Sequence, residues 1–307
     1  MNFFVSRIIE FIFFCLLALE LSRCWRANVF SLGIQGFSLV TSYSIVAFSQ
    51  IFVIYLGINH GILGRITFLI FSVFGASIIS TLLSNLFYSV FKKLKDDYFA
   101  IATLAFAQFL LIFVTSFDFL GGAKGYSLNH SIDFGNIVAN RLFFLLLLVL
   151  LFIVYLVLAK KNQKSFSELI ITATGENELG AQHLGIDTVM VRKNVFVQCG
   201  FWTGISGAIM ANYYVFISPD DFMFINSIPI LLFVVLGNYS INKTIVYSFS
   251  IYFGYELLKS NLLGILPYEF GNKIASLQNL IYGSLLVAAV LLIFKRKNKK
   301  AWKKINS

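Results

Sequence analysis

Long apolar stretches, each ended by a polar or basic cluster, follow one another along this 307-residue chain. Residues 66–91, 98–117, 142–159, 195–217 and 277–294 contain no charged side chain. A helix rising about 1.5 Å per residue needs roughly 20 such residues to cross the hydrocarbon of a bilayer, so each run predicts a spanning helix. A further run, residues 29–58, is interrupted by Gly33 and Gly36 and predicts a span with a bent start. Two shorter runs, 222–237 with Pro229 inside it and 244–255, have the length of broken or tilted helices buried in a bundle. None shows the alternating, roughly ten-residue pattern of an outer-membrane barrel. The expectation is an all-α fold, a polytopic integral membrane helix bundle of about eight to ten transmembrane helices including short or broken ones.

Composition agrees: 58% of residues are hydrophobic and 12% charged, whereas a soluble domain is about 25% charged. The net charge of +10 raises the question of nucleic acid. The basic residues, however, sit in clusters between and after the apolar runs: Lys92, Lys93 and Lys95; Lys160, Lys161 and Lys164; Arg192 and Lys193; and "KRKNKKAWKK" at 295–304. Cytoplasmic loops of membrane proteins carry such clusters, which also touch lipid headgroups, so membrane lipid is the expected partner and nucleic acid is not. With the clusters inside, the spans alternate consistently. The protein is then multi-pass in the cell (inner) membrane with its C-terminus cytoplasmic. It divides into an N-terminal transmembrane portion (1–159), a cytoplasmic loop (160–193), a C-terminal transmembrane portion (194–294) and a basic cytoplasmic tail (295–307).

Cys15, Cys24 and Cys199 form no disulfide framework and read as buried small hydrophobes. Glu10 and Glu20 interrupt the first apolar region and Arg23 precedes Cys24, so a retained first helix, peripheral to the bundle, is expected rather than a removed leader.

The polar interval has internal punctuation. Ser165 and Glu168 stand at capping-box spacing and predict a helix start. A second short helix is expected from near Thr174, with Glu176 and Glu178 in its first turn and Gly185 ending it in a left-handed cap. Beyond it, Gly200, Gly204 and Ala208 recur every four residues with Gly207 among them, a small-residue face that suits close helix packing; substrate lining is the alternative. The segment "LGGAKGYS" (120–127) reads as a turn, although Gly-rich backbone can also cradle an anion.

Catalytic and metal chemistry is missing. There is no P-loop pattern, no G-x-S-x-G, and His60, His130 and His183 lie far apart without cysteine or carboxylate at zinc-ligand spacing. No cofactor or metal and no enzymatic activity are expected. Polar groups inside the long spans are chiefly Asn85, Gln108, Gln198 and Asn212; Glu10, Glu20, Glu256 and Lys259 are the ionisable exceptions. An ATP-independent secondary carrier stays open as the alternative to a subunit that borrows its energy, and a lipid-modifying enzyme is a third reading for which no acid–base pair is found.

Four segments in order, "DDYFAIATLAF" (96–106), "LGGAKGYS", "GENELGAQHLGI" (175–186) and "TGISGAIMANYYVFISPDDFMFINSIPILLFVVLGNYS" (203–240), resemble the permease subunits of branched-chain amino-acid ABC importers, more narrowly the second of the two permease types. The resemblance covers residues from about 92 to the end. The family segment R-x-x-R-E-N-E-x-A-A-x-x-x-G is met at Glu176, Asn177, Glu178, Ala181 and Gly185, while its two arginines fall on Thr172 and Gly175. The family's T-G-G is Leu120, Gly121, Gly122; its A-G-x-A-G-A spans Thr203 to Ala208; its I-S-P ends at Pro219; its G-G-x-G-S begins at Gly237 and loses a glycine at Asn238.

The resemblance implies a second permease subunit, two ATP-binding subunits and an extracytoplasmic solute-binding protein as partners. It makes Glu176 to Gly185 the coupling segment gripped by the ATPase. A branched-chain or other hydrophobic amino acid is the implied substrate, with urea and short amides used by close relatives. Pro229 and Gly237 become candidate pathway residues by analogy with discontinuous helices at transporter midplanes. Gly121, Gly122, Gly125 and Pro219 become candidate contacts of the binding protein.

Overall fold

The computed structural model of the protein describes residues 2–56, 61–94, 96–128, 132–163, 165–265, 278–292 and 295. His60, His130, Lys95, Lys164 and the basic tail after Lys295 lie outside the described residues. The helices are α1 (Asn2–Arg26), α2 (Ile34–Leu56), α3 (Ile62–Phe91), α4 (Asp96–Thr115), α5 (Ile137–Gln163), α6 (Phe166–Glu176), α7 (Glu178–His183), α8 (Thr188–Tyr214), α9 (Ile228–Gly237), α10 (Ile241–Ile265) and α11 (Gln278–Leu292). A two-residue antiparallel ladder joins β1 (Tyr126–Ser127) to β2 (Phe216–Ile217). The chain is an all-α polytopic membrane bundle. Helices α3, α4 and α5 are long and apolar enough to cross a membrane by length and composition alone, and they expose rows of large side chains such as Phe74, Leu82, Leu146 and Leu150 on the outer surface of the bundle.

The first helix is central, contrary to the peripheral position expected for it. Ile9, Cys15, Leu17, Ala18 and Cys24 have no exposed surface, and α1 touches α5, α8, α9 and α10. The reason is its polar content: within a membrane bundle, a helix carrying Arg7, Glu10, Glu20, Arg23 and Arg26 satisfies those groups inside protein more cheaply than against lipid. All three cysteines are free and buried.

The most extensive helix–helix contact joins α3 to α8. A Cβ added to Gly200 would stand 1.9 Å from Ser84 Oγ, and one on Gly204 would stand 2.7 Å from Ser77 Cα. Gly207 faces Ser38 and Thr41 of α2, and Ala208 is fully buried. The backbones approach because both faces carry small residues, and Ser80 Oγ uses the closeness to donate to the Gly200 carbonyl at 2.8 Å. In lipid such packing and hydrogen bonding, rather than escape from water, hold helices together. Gly33 and Gly36 do the same for α2 against Thr103 and Ala107 of α4.

Helix α9 is ten residues, about 15 Å, half the thickness of a hydrocarbon core. Its apolar residues from Pro229 to Val234 are buried on every side, as expected of a helix with no polar face. Pro229 lies in its first turn, and Asn238, in the left-handed conformation at φ 46°, closes it. Glycine's role at this turn is thus taken by the non-glycine residue that tolerates that conformation best.

Candidate functional site

At one end of the bundle the polar interval folds into α6 and α7. Ser165 stands at the N-cap of α6 in extended conformation, yet it makes no side-chain cap. Its hydroxyl donates back to the Asn162 carbonyl at 2.6 Å. The expected capping box does not form because Glu168 is engaged elsewhere: its buried carboxylate is hydrogen-bonded by Arg26 and lies 3.6 Å from Arg23, both on α1. Arg26 also donates to the Tyr239 carbonyl at 2.8 Å, tying α6, α1 and the α9–α10 turn together.

The second helix begins later than expected. Thr174 is buried inside α6, Glu176 ends that helix, and α7 starts at Glu178. Asn177 makes the break: its backbone is extended, and Oδ1 accepts from the Gly180 amide at 2.9 Å. Gly185, at φ 80°, closes α7, with the Ile186 amide donating to the Ala181 carbonyl at 3.1 Å, the backbone pattern of a left-handed helix stop.

The five coupling candidates fall into two groups. Glu176 is exposed and Asn177 exposed at the kink. Glu178 turns inward, accepting from both terminal nitrogens of Arg192 at 3.1 and 3.2 Å. Arg192 in turn donates from Nε to the Ala27 carbonyl at 3.3 Å, so α7, α8 and the end of α1 form one unit. Ala181 is buried beneath α7. The outward surface of this unit is more apolar than the sequence suggests: Leu179 is 69% and Leu184 80% exposed, with Phe166 and Leu169 exposed on α6. Thr172 returns its hydroxyl to the Glu168 carbonyl. Gly175 lies against α1, where an added Cβ would stand 1.9 Å from the Arg26 carbonyl oxygen. That leaves no room for the arginine the resemblance places there.

At the opposite end, the segments carrying Gly121, Gly122, Gly125 and Pro219 come together. Gly125 lies under the ladder, an added Cβ falling 2.5 Å from the Ile217 carbonyl. Gly122 and Pro219 are buried, and Ser218 and Asp221 cap the 3₁₀ turn that Pro219 opens. The glycines therefore serve the turn, and the exposed surface beside them is Phe119, Phe216 and Met223.

Below this surface is a cavity of about 370 Å³, within the size range of small-molecule sites. Pro229 lines it; Gly237 does not, being packed against Thr244 of α10. The sequence reading missed the residues that give the cavity its character: Arg7 and Glu10 of α1, Ser38 of α2, Tyr252 of α10 and Tyr282 of α11. Arg7 bonds Glu10 at 2.7 Å and lies 3.5 Å from Glu256, while the Tyr252 hydroxyl donates to Glu10 at 2.8 Å. Asp221 also lines the cavity, and burial raises its carboxyl above the ordinary aspartate value. The available signal was Arg7 and Glu10 one turn apart inside an apolar run, an arrangement rare in membrane helices without a partner or function.

A helix bundle with apolar outer rows, a half-length buried helix and a cavity lined by both apolar and charged residues defines a polytopic membrane protein. The chain matches the family model of the branched-chain amino acid transport system permease component over residues 3–294 and belongs to that family. The match extends the likeness, read in the sequence from about residue 92, to the start of α1. No curated protein and no solved structure matches the chain.

Proposed function

We propose that this chain is the transmembrane permease subunit of an ATP-driven importer, paired with a second permease, two ATP-binding subunits and an extracytoplasmic solute-binding protein. The observation that carries the reading is the construction of α6–α7. A short helix is tied to α8 and α1 through Glu178, Arg192 and the Ala27 carbonyl, and it turns Leu179 and Leu184 away from the bundle. A rigid, apolar-tipped lever of this kind converts closure of a docked ATPase into rigid-body movement of the spanning helices. Glu176 and Asn177 meet the ATPase at its rim; Glu178, Ala181 and Gly185 shape the lever.

In this reading the α6–α7 end and the C-terminus are cytoplasmic and the protein resides in the cell inner membrane. The segments at Gly121, Gly122, Gly125 and Pro219 face the binding protein. The cargo is a branched-chain or similar hydrophobic amino acid, and Pro229 stands on its route. The subunit performs no catalysis of its own.

The test is affinity co-purification of the tagged chain in mild detergent from its native membrane. An ATP-binding subunit should accompany the wild type and be lost from Leu184→Asp, a position whose side chain is 80% exposed. Intact chain that never carries an ATPase would overturn the proposal in favour of an ATP-independent carrier.

A further inference from the structure

We infer that Glu20 is a proton-binding site: a neutral carboxylic acid at the crossing of α1, α5 and α8, whose proton exchanges with the α6–α7 end of the bundle through the Tyr155 hydroxyl and one water. The inference goes beyond the permease reading and involves no ATPase.

Burial without a counter-charge is the first ground. Glu20 is 2% exposed, and its Oε1 has no hydrogen-bond partner among the described residues. It forms no ion pair among them either. Arg23, one turn further along α1, is committed elsewhere: Nη1 donates to Gln198 Oε1 at 2.7 Å, and Nε lies 3.6 Å from Glu168 of α6. The other titratable groups around Glu20 are Tyr155 on α5 and Cys199 on α8. Helices α9 and α10 also pack on α1 but bring no titratable group to it. A carboxylate held away from water without a partner is costly enough that the group takes up a proton instead.

A route for that proton is the second ground. Tyr155 is 3% exposed, its hydroxyl is within hydrogen-bonding reach of Glu20, and its ring stands edge-on to Trp202 at 5.3 Å. Tyr155 also lines a pocket of about 10 Å³ together with Arg23, Asn162 and Glu168. That is room for about one water, and these four polar side chains are the partners such a water needs. Asn162 is half-buried near the end of α5, so the pocket lies close to the surface that carries α6.

The relay balances without any electron moving. The Glu20 proton passes to the Tyr155 oxygen, the Tyr155 proton passes to the water, and the water releases one to solvent beside Asn162. Tyr155 and the water end as they began, and Glu20 is left a carboxylate. That carboxylate competes with Glu168 for Arg23, so loss of the proton loosens the tie between α1 and α6.

The test is infrared spectroscopy at neutral pH on the full-length chain, purified in mild detergent with whatever subunits accompany it. Subtracting the spectrum of Glu20→Gln from that of the wild type cancels every other carboxyl. The difference should contain the C=O band of a protonated carboxylic acid, and transfer into D2O should shift that band to lower frequency. Tyr155→Phe should keep the band and slow its shift. A difference spectrum showing carboxylate bands instead would overturn the inference, because Glu20 would then be ionised. Exchange in Tyr155→Phe as fast as in the wild type would overturn the route. A Glu20→Gln chain that does not fold would also count against the site, since the amide matches the proposed acid in shape and neutrality. None of these readouts depends on a docked ATPase, so this inference and the importer reading stand or fall separately.

Discussion

Glu178 and Arg192 face each other across the junction of α7 and α8, both oxygens of the carboxylate meeting both terminal nitrogens of the guanidinium at 3.1 and 3.2 Å. Their side chains are 19% and 8% exposed. The acid that most resembles a docking residue in the sequence is thus an internal brace. Removing one partner of a charge pair this sheltered leaves the other desolvated, at a cost of about 2 kcal/mol. Glu178→Lys should therefore loosen α7 as well as weaken ATPase association, seen as faster proteolysis within residues 164–187. The exchanged pair Glu178→Arg with Arg192→Glu should restore protection. If Glu178→Lys loses the ATPase while proteolysis stays at the wild-type rate, Glu178 touches the partner directly and the brace is not its role.

The two positions where the resemblance places arginine should respond differently. Thr172 is part-buried and, among the described residues, its hydroxyl bonds along its own helix to the Glu168 carbonyl, so Thr172→Arg can extend past the α6 surface and should be tolerated within about 0.5 kcal/mol. Gly175 has the Arg26 carbonyl where its Cβ would be. Even Gly175→Ala should destabilise by about 3 kcal/mol, the upper end of overpacking costs, because backbone must move. Thermal unfolding of the two variants in detergent tests the contrast. Equal effects would mean that the α1–α6 contact is not this close.

The α3–α8 seam makes a similarly sharp prediction. Gly200→Ala puts a methyl group against Ser84 Oγ at 1.9 Å and Ser84 Cβ at 2.7 Å, and should cost about 1–3 kcal/mol. Rotation of the hydroxyl relieves only the first clash. Ser84→Gly added to Gly200→Ala should recover most of the loss, as a double-mutant cycle in thermal stability would show. Additive losses would place the damage elsewhere.

These residues also show what one sequence reveals. Apolar run length alone places the long helices, since the bilayer fixes how many residues a span needs. The polar interval is legible as two short helices because Gly185 and the acids punctuate it. The central position of α1 is not legible: its charged residues, Arg7, Glu10, Glu20, Arg23 and Arg26, do not gather into one polar stripe that would announce its neighbours. Nor is the direction in which a charge points. Glu168 finds Arg26 across 142 residues, and Glu10 finds Tyr252 across 242. Pairings over such separations are set by helix packing, which no local pattern encodes. The cavity was hidden for the same reason, its charged residues coming from a helix read as peripheral.

Val215 supplies the last prediction. It joins α8 to the ladder at φ 64° and ψ −38°, a region β-branched residues rarely occupy. Its carbonyl accepts from the Leu128 amide at 2.6 Å, which fixes the backbone in that conformation while the side chain stays 38% exposed. Little packing is lost on removing the side chain, so relief of strain should dominate. A residue held in such a region costs about 1–3 kcal/mol, and the greater freedom of glycine in the unfolded chain returns roughly 0.5–1 kcal/mol of that. Val215→Gly should accordingly raise stability by about 1 kcal/mol, with Val215→Ala gaining less because alanine keeps the Cβ that conflicts with positive φ. Thermal unfolding of both variants decides the matter. A destabilised Val215→Gly would mean that Val215 contributes packing or a partner contact outweighing its strain, and that the connection to the ladder is held from outside the chain.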